Sequence, residues 1–77
     1  MTDQQMRDDL LRELRRRVAD CTNAANEEEY FASVTSDPST ANEYRDDASR
    51  CRRRAQHFEQ AIALVEAAPM PSKDEPR

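Results

Sequence analysis

The feature that most constrains this chain is a seven-residue rhythm of apolar side chains, interrupted once. From Leu11 the apolar positions step alternately by three and four through Leu14, Val18, Cys21 and Ala25, pass over Glu28, and reach Ala32. A second stripe is unbroken: Ala41, Tyr44, Ala48, Cys51, Ala55, Phe58, Ile62 and Val65. Steps of three and four put successive residues on one face of an α-helix, whereas a strand requires alternation by two. Between the stripes lies Thr35-Ser36-Asp37-Pro38-Ser39-Thr40. Proline disfavours helix at the residue before it and is welcome at a first helical position, so one helix ends here and another begins, with Asp37 as its N-cap.

These stripes predict an all-α fold, an antiparallel two-helix hairpin with a coiled-coil-like, alanine-rich seam. The expected domain covers residues 1–68: helix 1 over about 3–34, a turn at 35–39 and helix 2 over about 38–68. Thr2 followed by Gln5 fits a capping box at the start of helix 1. Residues 69–77, with three prolines in a polar stretch, read as a disordered C-terminal tail. Alanine at every seventh residue of helix 2 lets two backbones approach closely. Folding about Ser36 sets Cys21 beside Cys51 and Glu28 near the Tyr44 hydroxyl; a shift of one turn, centred on Pro38, sets Cys21 against Ala55. The first register is preferred.

Composition narrows the functional classes. The 77 residues include no glycine, and glycine's freedom at positive φ underlies tight β-hairpins, phosphate-cradling loops and dinucleotide-binding turns. The N-terminal residues are polar, without the apolar run of a signal peptide or membrane span, so a cytoplasmic location is expected and no membrane partner. Cys21 and Cys51 then read as reduced thiols in the seam, with a disulfide between them as the alternative. No cofactor and no metal are expected: the cysteines form no CxxC pair, and the sole histidine, His57, points away from the seam. His57 also has no nucleophile at helical contact spacing backed by an acidic group, so the chain is read as not an enzyme. The carboxylates Glu27, Glu28, Glu29, Glu43, Asp46 and Asp47 lack the Glu-x-x-His pattern of helix-bundle metal centres and read as a solvated acidic face.

Two surfaces remain. Arg15, Arg16 and Arg17 on helix 1 and Arg50, Arg52, Arg53 and Arg54 on helix 2 reach neighbouring heights when the hairpin closes, as a basic girdle around its middle. Arginine binds carboxylates and phosphates alike, but the net charge is −4 and no aromatic residues interleave with the arginines, which counts against nucleic acid. Leu10, Tyr30, Phe31, Val34, Ala61 and Leu64 are apolar residues that two helices cannot all cover. They imply a homodimer, completing a four-helix bundle, and a docking surface for another protein.

No motif residue identifies a family. In general character, a tiny acidic hairpin, the chain is similar to many small bacterial and bacteriophage proteins that bind a larger enzyme or regulator and block it. The expected function is accordingly a non-catalytic interaction module, an inhibitor or anti-activator of a larger host protein. A nucleic-acid or nucleoprotein binder using the arginine girdle is the alternative.

Overall fold

The two stripes form two helices, α1 over Asp3–Val34 and α2 over Pro38–Ala67, packed against each other as a hairpin in a computed structural model that describes residues 2–69. At about 1.5 Å per residue the 32-residue α1 runs about 48 Å. The hairpin is a single layer; its Cα atoms extend only 11 Å in the thinnest direction. The helices leave 35–37 between them, two residues fewer than the turn expected at 35–39, because Pro38 and Ser39 already belong to the first turn of α2. The C-terminal stretch from Met70, read as a tail, lies outside the described residues.

Local chemistry fixes each helix start. The Thr2 hydroxyl accepts from the Gln5 N–H at 3.1 Å, and the Gln5 side chain accepts from the Thr2 N–H at 3.0 Å, a complete capping box. At α2, Asp37 Oδ2 accepts from the Thr40 hydroxyl at 2.5 Å and from the Thr40 N–H at 3.3 Å, while Pro38 takes the first turn, where a missing N–H costs nothing. These bonds favour the charged carboxylate. The Thr40 hydroxyl, with the Thr40 N–H next, holds the Asp37 pKa below its ordinary value.

The far end of α2 is capped across the interface. Its last turn carries no basic residue of its own, and its final carbonyls have no intrahelical donor. Arg7 of α1 supplies one, its guanidinium donating to the Glu66 carbonyl oxygen at 2.7 Å. A positive charge there also opposes the negative end of the α2 dipole.

The core is thin because the seam is small. Leu11, Ala25, Ala32, Ala41, Ala48 and Ala55 are buried, with Ala25 at 0% exposure, and no side chain larger than leucine joins them. The remaining seam residues, Leu14, Val18, Cys21, Tyr44, Cys51, Phe58, Ile62 and Val65, are half-buried. Cys21 and Cys51 are free thiols. Among the described residues no hydrogen bond joins Glu28 to Tyr44; instead the Tyr44 ring meets Phe31, their centroids 5.5 Å apart. The aromatic edge won over the polar contact because Phe31, beside the seam, offers Tyr44 apolar area that a carboxylate does not.

Among the described residues no helix is long and apolar enough to cross a membrane, and no cluster of three or more His, Cys, Asp or Glu is placed to hold a metal ion.

Candidate interaction surface

A hairpin one layer thick has two broad flanks, and the sequence loads them differently. With Leu11 and Ala41 each as the first position of a seven-residue repeat, the seam takes first and fourth positions. Fifth and second positions then form one flank, seventh and third positions the other.

The first flank is polar and tied across the interface. Arg15 donates to the Glu66 carboxylate at 2.9 Å, and Arg52 donates to Glu29 at 2.7 Å and to the Asn26 side-chain oxygen at 3.2 Å. All five occupy fifth or second positions. Ala32, Ser33, Arg45, Ala48 and Ser49 line a recess beside the Glu29–Arg52 pair.

Among the described residues the second flank holds every large exposed apolar side chain except Tyr30. Leu10 and Phe31 are at seventh positions; Met6, Val34 and Leu64 are at third positions, and all five are exposed, Leu64 at 73%. At the open end of the hairpin Met6 and Leu10 help to line a groove of about 540 Å³ together with Asp3, Arg7, Val65, Ala68 and Pro69. At the turn end Phe31 stacks against both Tyr44 and Tyr30, the latter edge-on at 5.8 Å. The guanidinium of Arg17 lies 5.9 Å from the centre of the Phe58 ring, covering that half-buried ring from this side. No cross-helix ion pair falls on this flank among the described residues.

The expected interface residues thus separate. Leu10, Phe31, Val34 and Leu64 share the second flank; Ala61 shares it but is half-buried. Tyr30 falls at a sixth position, on the back of α1, and is 62% exposed. Met6 lies outside the set expected from the sequence because it precedes the first clear repeat. Extending the rhythm backward from Leu11 would have placed it.

The basic girdle also separates. Arg15 and Arg52 are spent on the polar flank; Arg16 pairs with Glu13 and Asp20, Arg17 with Glu13, and Arg50 with Asp47. Among the described residues Arg53 and Arg54 have no carboxylate within ion-pair distance. Helical neighbours at three and four residues supply most of the partners, as spacing alone makes them do. Comparison with protein-family models, with curated proteins and with solved structures gives no match.

Proposed function

We propose that this chain is a non-catalytic protein–protein interaction module that pairs with a second copy as a four-helix bundle and acts as an inhibitor or anti-activator, binding and blocking a larger protein. The observation that carries the reading is the placement of Met6, Leu10 and Leu64 at the open end and Phe31 and Val34 at the turn end, all exposed, on one flank of a hairpin whose own core is mostly alanine. Isolated apolar residues on a surface are ordinary; an aligned set on a molecule this thin supports association. Tyr30, on the back of α1 and outside that flank, is the aromatic anchor offered to the larger protein, since tyrosine combines a broad apolar ring with a hydrogen-bonding tip.

A tagged copy isolated from its native cell, beside a Tyr30→Ser variant, tests this. One protein retained by the unaltered chain and lost with Tyr30→Ser is the expected result; nothing retained by either would remove the blocking role. The nucleic-acid reading rests on Arg53 and Arg54 alone. Its test is a gel-shift at low salt, where binding should weaken when both become alanine.

A further inference from the structure

We propose that the second copy packs on the flank bearing Leu10, Phe31 and Leu64, and that the two-fold axis of the pair runs parallel to the hairpin, so open end meets open end. This rests on the dimer in the reading above and names its face and its geometry.

Three observations lead there. The first is what the lone hairpin lacks: its buried set is Leu11 and five alanines, and chains of this size seldom stand on one core without a staple or a partner. The second is area. A flank about 48 Å long and two helices, or about 20 Å, wide offers on the order of 900 Å² per copy, close to the roughly 800 Å² each partner gives up in a stable interface.

The third is charge, and it selects the axis. Rotation about an axis parallel to the rods leaves every residue at its own height and sets α1 of one copy over α2 of the other. Residues level within one hairpin are therefore level across the pair. Side-chain contacts join Arg7 and Arg15 to Glu66, Arg17 to Phe58, Asn26 and Glu29 to Arg52, and Phe31 to Tyr44, which places the two helices in height to within about one turn. Reading between these, Leu10 stands opposite Leu64 of the other copy, Asp20 opposite Arg54, and Glu27 opposite Arg50. All six lie at third or seventh positions, on the flank in question. At these three heights leucine meets leucine and acid meets base, and symmetry makes each match twice; at the turn end Phe31 and Val34 come level with Glu43 and Asp47 of the other copy. Glu27 and Arg54 have no ion-pair partner within the hairpin among the described residues, so both are available. An axis perpendicular to the rods through the middle of this flank instead sets Arg54 against its own image. The parallel axis also makes each helix antiparallel to the one it faces, which suits the helix dipoles. Tyr30 stays outside, free for the larger protein.

The experiment uses the purified full chain, with mass by light scattering and thermal melts at several concentrations. The unaltered chain should be a dimer, and its melting midpoint should rise with concentration. Leu64→Lys should give a monomer or an unfolded chain, whereas Ala63→Lys, exposed on the opposite flank one residue away, should stay dimeric. Unfolding by Leu64→Lys supports the proposal as well, because lysine forms helix about as readily as leucine and a side chain 73% exposed in the hairpin has little else to lose. Asp20→Arg and Arg54→Asp should each weaken the dimer by roughly tenfold, about 1.4 kcal/mol over two symmetric pairs, and the two together should restore it. A monomeric unaltered chain at 100 µM overturns both this proposal and the dimer beneath it. A dimer broken by Ala63→Lys and not by Leu64→Lys overturns the face alone. Singles that weaken with a double that fails to recover overturn the axis.

Discussion

The two flanks share one seam and one backbone, yet they solve different problems. On the polar flank every cross-helix contact is charged or amide-based: Arg15 with Glu66, Arg52 with Glu29 and Asn26. Side chains there are about half exposed, which keeps such pairs in water and limits what each contributes. On the apolar flank the contacts across the interface are made by rings, Phe31 with Tyr44 and Arg17 over Phe58, and leucine, valine and methionine point outward. Ion pairs between exposed long side chains set register and orientation at little cost to solubility. Exposed apolar groups set nothing until another surface removes water from them. One flank therefore finishes the hairpin, and the other leaves it unfinished.

Substitutions on the two sides separate these roles. Phe31→Ala should have the largest effect, about 3 kcal/mol in a denaturant melt, because the ring contacts Tyr44 and Tyr30 and faces the proposed second copy. A loss of only a few tenths would mean that the ring stays wet. Next is the shared seam: Ala25→Leu, at a position with no exposure, should force the helices apart and destabilise the chain by about 1 to 3 kcal/mol. That effect should be the same at low and high protein concentration if the seam belongs to the hairpin alone. Arg52→Ala, on the polar flank, should cost at most about 1 kcal/mol and less in 1 M salt, since salt screens exposed pairs. A large, salt-independent loss would show that this flank is covered after all.

The smallest effect concerns neither flank but the turn that lets them exist. Asp37 has a pKa held low by Thr40. A depressed folded-state pKa gives stability that is present above the ordinary carboxylate value and fades as pH falls through the folded value. Acid titration of the melting midpoint should show this component. Asp37→Asn should keep most of the cap at neutral pH, as asparagine caps nearly as well, while losing the acid-dependent part; Asp37→Ala should lose both.

Much of this was readable in advance, and for physical reasons. The capping box at Thr2 and Gln5, the cap at Asp37 and the proline at the first turn of α2 depend on residues within three or four positions of one another, so spacing determines them. Helical ion pairs such as Arg17 with Glu13 follow from the same short range. Cross-helix chemistry did not follow. Arg7 reaching the Glu66 carbonyl, Arg52 choosing Glu29 and Asn26, and Tyr44 choosing Phe31 over Glu28 all depend on relative height, which a stripe of alanines leaves free to slide. The girdle of arginines, one feature when read along the chain, became several separate ones because neighbouring residues on a helix point about 100° apart.

By itself the sequence determined where the helices start and stop, that they turn once, and which side chains line the seam, because each of these is decided by contacts within a turn or two. Only the tertiary structure decided which arginines are spent across the interface, and that Met6, Leu10, Phe31, Val34 and Leu64 share one flank. The reason is that a seven-residue repeat fixes direction around a helix axis but not position along a partner, and what two helices jointly expose depends on both.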